Sequence, residues 1–103
     1  MMAITDYKVN KSIDENTLNK NGFRYGTYKK FIYKDIIQFV VHIDLETHDW
    51  DYQVYDINHN SYYMAYYNRQ YGKNEVVDTI DKKINEIITE LEKNKILIKN
   101  GDD

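Results

Sequence analysis

The chain has 103 residues, no cysteine, a formal net charge of −3, 42% apolar residues and 15% aromatics. That length supports one core but not two, and the apolar share is enough to build it. The absence of cysteine excludes disulfides, thiolate chemistry and cysteine-rich zinc sites together, and the acidic balance disfavours a general phosphate binder.

Read in chain order, residues 1–11 look loose, with one short extended piece at Tyr7–Val9. Ser12, with Glu15 three positions on, has the form of a capping box opening a short helix from Ile13 to about Lys20. Asn21-Gly22 is the stop signal for that helix. Four strand-like runs follow, at 23–33, 36–45, 50–57 and 61–67, separated by short turn-forming segments. In the second run Ile37, Phe39, Val41, Ile43 and Leu45 face one way, and Gln38, His42 and Asp44 face the other. Trp50, Tyr52 and Val54 alternate in the same manner with Asp51, Gln53 and Tyr55. Short connections imply hairpins, hence an antiparallel meander. Gly26, inside the first run, marks a bulge or a close approach beneath the helix.

Asn74 suits an N-cap, and Glu75 and Asp78 place negative charge in the first turn of a second helix. Val77, Ile80, Ile84, Ile87 and Leu91, widened by Val76 and Ile88, form an apolar stripe too broad for a coiled-coil seam. This helix should end near Asn94, followed by the apolar tail Ile96-Leu97-Ile98 and a frayed Gly101-Asp102-Asp103. The expected architecture is a single α+β domain over residues 1–103, with 1–11 and 99–103 loosely ordered. A short N-terminal helix precedes a four-stranded meander, and a long C-terminal amphipathic helix packs on one sheet face. Four strands span roughly 19 Å, whereas one helix is about 10 Å wide. The rest of that face needs the N-terminal helix, the apolar tail or a second copy, which makes a homodimer an expectation.

His42, His48 and His59 lie near several acids, but at no metal-ligand spacing, and His48 and His59 fall in turns. They read as surface histidines, and the expectation is no metal and no cofactor. Nucleophile elbow, phosphate loop and dinucleotide fingerprint are all missing, and the four glycines are scattered, so no enzyme is expected.

Charge is uneven along the chain. Lys20, Arg24, Lys29, Lys30 and Lys34 fall in a stretch without an acid, and Asp44, Glu46, Asp49, Asp51 and Asp56 in one without a base. Nine tyrosines fall within the strand-like runs, where alternation places Tyr55 and one of each adjacent pair on the second face. The candidate partner-binding residues are therefore Tyr55, Tyr63 and Tyr67 with Asp49, Asp51 and Asp56, an aromatic surface rimmed by carboxylates and suited to a basic protein partner. The alternative is single-stranded nucleic acid stacked on the tyrosines, which the neighbouring acids would oppose. Met1 to Asn10 carries no apolar run and no segment reaches bilayer length, so a cytoplasmic protein with no membrane partner is expected. Ile, Asn, Lys and Tyr dominate and proline is absent. This composition resembles that of accessory proteins of phages and mobile elements of Gram-positive bacteria. The resemblance implies a non-catalytic module that binds and modulates a host or defence protein.

Overall fold

The computed structural model describes residues 6–68 and 75–100. In chain order its elements are β1 (Tyr7–Val9), α1 (Glu15–Lys20), β2 (Thr27–Tyr33), β3 (Ile37–Asp44), β4 (Asp49–Asp56), β5 (Ser61–Tyr62), α2 (Met64–Tyr67), α3 (Glu75–Lys93) and β6 (Leu97–Lys99). The chain is a mixed α/β fold with a four-stranded antiparallel sheet, ordered β2-β3-β4-β5, and a long helix toward its C-terminal end. A second, two-stranded sheet pairs β1 with β6, setting Tyr7 against Lys99 and Val9 against Leu97. No described helix is long and apolar enough to cross a membrane.

Alternation in β3 follows the sequence reading. Ile37, Phe39, Val41 and Ile43 are buried in the main core cluster with Val54 from β4, while Trp50 and Tyr52 pack against that cluster half-buried. The loops on either side of β4 are the same device built twice. Leu45–His48 joins the paired residues Asp44 and Asp49, and Ile57–Asn60 joins Asp56 and Ser61. Each loop ends on a residue with positive φ, His48 at 60° and Asn60 at 51°. Each begins at an aspartate whose Oδ1 accepts the N–H groups two and three residues ahead. Asp44 binds Glu46 and Thr47 at 2.8 and 3.4 Å, and Asp56 binds Asn58 and His59 at 3.0 and 3.3 Å.

Three boundaries depart from the sequence reading. The first of the four strand-like runs, β2, starts at Thr27, because Tyr25 and Gly26 take φ values of 53° and 77° and make a tight turn closed by reciprocal Arg24–Thr27 backbone bonds. Gly26 is a close approach, but to the end of β3 rather than to the helix: a Cβ there would meet the Ile43 carbonyl oxygen at 2.6 Å. The fourth run leaves the sheet after Tyr62. The Tyr63 N–H still reaches the Val54 carbonyl at 2.9 Å, and then Met64-Ala65, better helix than strand formers, turn the chain into α2. The N-terminal helix is capped by Asp14 rather than Ser12, with the Thr17 N–H donating to its Oδ1 at 2.9 Å.

The predicted apolar stripe of α3 is buried at Val77, Ile80, Ile84, Ile87, Ile88 and Leu91. The expected cap Asn74 lies outside the described residues, as do 1–5 and 101–103. At the other end Lys95 adopts φ 60°, the Ile96 N–H donates to the Leu91 carbonyl and the Lys95 N–H to that of Glu92. These are the two bonds of a Schellman close. They turn the chain so that Ile96 and Leu97, expected as a tail, become fully buried. Val9 is buried with them and Tyr7 nearly so, and the Trp50 indole N–H donates to the Tyr7 carbonyl at 3.1 Å. The extended piece expected at Tyr7–Val9 is thus a strand with both ends buried, and Lys99 and Asn100 are tied in as well, the latter through its N–H to the Asp6 carbonyl at 2.7 Å.

Candidate functional site

The sheet face away from the main core cluster is set by register. Phe31 opposes Gln38, Gln38 opposes Tyr55, and Tyr55 opposes Tyr62, so one transverse row crosses all four strands. The next rows are Lys29–Val40–Gln53 and Thr27–His42–Asp51, with Asp49 beyond them. Apart from Val40, every one of these side chains is exposed or half-exposed; Phe31 is 42% and Tyr62 50% exposed. Val40 is 6% exposed, yet it stands outside the main core cluster, shielded by its neighbours on this open face.

The aromatic end of the row is ordered by ring contacts. Tyr62 meets Tyr55 edge-on with centroids 6.4 Å apart and Tyr67 at 5.9 Å, and Tyr67 meets Tyr66 at 5.2 Å. Edge-to-face pairs at these separations hold rings in fixed orientations. The Tyr55 hydroxyl donates to Asn60, and the Gln53 amide donates to the Tyr62 hydroxyl at 3.4 Å. Tyr67 uses its hydroxyl structurally, accepting the Val54 N–H at 3.0 Å where β5 has already left the ladder. Burial pushes the Tyr67 phenol above its ordinary pKa.

The six residues singled out by sequence separate into four groups. Tyr55 and Tyr67 join one aromatic cluster, 43% of Tyr67 remaining exposed. Tyr63 packs half-buried against the core, with its phenol pushed up by burial and by the nearby Asp56. Asp49 and Asp51 are exposed on the open face, whereas Asp56 is only 8% exposed and builds its own loop. Burial works against the Asp56 carboxylate, but its bond to the His59 ring at 2.8 Å and the N–H groups of His59 and Asn58 outweigh it and lower its pKa. Asp51 and Tyr55 are four positions apart, about 13 Å along a strand. Phe31 and Tyr62 were missed. The signal for Phe31 was its alternation with Lys29, and Tyr62 needed the four-residue length of Ile57–Asn60 to set the register.

The histidines are dispersed among local partners. His42 Nδ1 lies 3.0 Å from the Thr27 hydroxyl, His59 is paired with Asp56, and His48 closes a loop. Among the described residues no group of three or more His, Asp or Glu side chains could hold a metal ion. Comparison with known proteins finds no family model, no curated protein and no solved structure that matches this chain.

Proposed function

We propose that the protein is a non-catalytic interaction module that binds a basic surface of another protein through its open sheet face. In this reading α3 covers one side of the four-stranded sheet and leaves the other to the partner. The observation that carries it is the row Phe31–Gln38–Tyr55–Tyr62, aromatic at both ends and continued by Tyr67. Rings of this kind contribute affinity when a partner desolvates them. Asp49 and Asp51, on the same face, supply charge that speeds encounter with a basic partner. The composition, dominated by Ile, Asn, Lys and Tyr, adds the biological setting, an accessory protein of a phage or mobile element acting on a host or defence protein in the cytoplasm.

Capture from host lysate with the parent protein and with Tyr55→Ala and Tyr62→Ala, side by side, supplies the partner and the control. Each substitution should weaken binding by about 1–3 kcal/mol, chiefly through faster dissociation. Neutralising Asp49 and Asp51 together should slow association and flatten its salt dependence. A captured protein that binds folded variants as it binds the parent removes the open face from the site. Retention of single-stranded oligonucleotide, lost with the same tyrosines, would assign the face to nucleic acid instead.

A further inference from the structure

β2 also presents its outer edge, at the far side of the sheet from Tyr55 and Tyr62. It is an edge strand, paired with β3 on one side only. Arg24 and Thr27 exchange backbone bonds at 2.7 and 2.9 Å, so the backbone groups of Thr27 point away from β3. Alternation along an antiparallel ladder then turns the N–H and C=O of Lys29 and the N–H of Phe31 outward as well. Beside this edge runs a groove of about 410 Å³ between β2 and α3, walled by Tyr28, Lys30 and Ile32 on the strand and by Ile87, Glu90 and Leu91 on the helix. Its size falls within the range of ligand clefts.

An edge with free donors and acceptors, next to a groove, is the geometry for addition of an extended chain. Side chains of an added strand alternate between the groove and the open face. Groove-side positions would meet Ile32, Ile87 and Leu91, which favours apolar residues, while the charged lining, Lys30 and Lys83 with Glu86 and Glu90, balances. Open-face positions would stand beside Lys29, and the strand with its flanking turns carries Arg24, Lys30 and Lys34 with no acid between them. Pairing with a second copy is opposed by the same charges. An antiparallel β2–β2 contact centred on Lys30 would set the Lys30 side chains of two copies directly opposite each other. We propose that the β2 edge binds an extended acidic peptide in which acidic and apolar residues alternate.

The probe is a blocked hexapeptide of alternating Glu and Val, titrated into the isotope-labelled protein with backbone amide shifts as the readout. The largest shifts should fall at the amides of Lys29 and Phe31. Lys29→Glu should weaken binding about tenfold and Lys29→Gln by less, both at an exposed position where the fold is retained. N-methylation of the peptide amides that face β2 should abolish binding, since it removes the strand-addition bonds and no charge. The double variant Tyr55→Ala, Tyr62→Ala should bind the peptide like the parent, which separates this surface from the open-face site. Equal binding of a Lys–Val hexapeptide, indifference to N-methylation, shifts centred elsewhere, or no saturation at millimolar peptide would each overturn the proposal.

Discussion

A methyl group on Gly26 would sit 2.6 Å from the Ile43 carbonyl oxygen, on a backbone whose φ of 77° already disfavours any side chain. That carbonyl belongs to the residue whose N–H donates to Gly26 at 2.8 Å, so β3 cannot withdraw without losing the bond. Gly26→Ala should therefore cost about 1–3 kcal/mol, read as a lower denaturant midpoint at unchanged slope. Lys95 presents the opposite case, an exposed side chain at φ 60° in the position where helices favour glycine. Relief of left-handed strain, roughly 1–2 kcal/mol, exceeds the roughly 0.5–1 kcal/mol by which glycine loosens the unfolded chain. Lys95→Gly should raise stability by about 0.5–1 kcal/mol, and a lower Tm would show that the αL conformation carries no strain to relieve.

The twin loops explain how much of the acidic stretch is structural. Asp44 and Asp56 each tie down the loop that follows their strand, leaving Asp49 and Asp51 exposed on the open face. Charge counting along the chain cannot distinguish these roles, because the distinction is the direction of one side chain at a strand end. The pKa of folded Asp56 lies below the ordinary value of 3.8, so its contribution to stability is present above that pH and is lost as pH falls through the folded value. Asp56→Asn should lower Tm at neutral pH, and the gap between variant and parent should close below about pH 4. A gap that stays constant across that range would mean the carboxylate charge contributes nothing. The long helix was the most legible element, since its apolar stripe from Val77 to Leu91 repeats over about four turns. Ile80, fully buried in that stripe, should cost about 2–5 kcal/mol on truncation to Ala, measured by chemical denaturation. Short elements were least legible. Nothing local in Leu97–Lys99 reveals that it pairs with Tyr7–Val9 across the length of the chain, and Tyr63–Tyr67 reads as strand until the helix preference of Met64 and Ala65 is weighed against its tyrosines.

At the scale of the molecule, the core cluster draws on nearly every element of the chain. Tyr7 and Val9 from β1, Leu18 from α1, Phe23, Tyr66 from α2, and Ile96 and Leu97 near the C-terminus all join the core cluster. The open face of the sheet, opposite the core cluster, carries Tyr55 and Tyr62. Tyrosines occupy both sides of this division, so the proton on their phenols reports on the fold as a whole. Tyr7, Tyr28, Tyr63 and Tyr67 all have phenol pKa values raised above 10.0, with burial the largest cause in each. Glu92 adds to the effect at Tyr7, Glu90 at Tyr28 and Asp56 at Tyr63. A raised folded pKa means the native state holds these protons more tightly than the unfolded chain. Their contribution is then fully present below about pH 10 and is lost as pH rises through the folded values. Stability should hold up to roughly pH 9 and decline beyond pH 10, with phenolate absorbance in the native state lagging that of the unfolded chain. Tyr28→Phe keeps the ring that packs 5.4 Å from Phe23 and removes one of the four protons, so its alkaline decline should be shallower than the parent's. Parallel declines for the two proteins would show that Tyr28 ionises as freely in the fold as outside it.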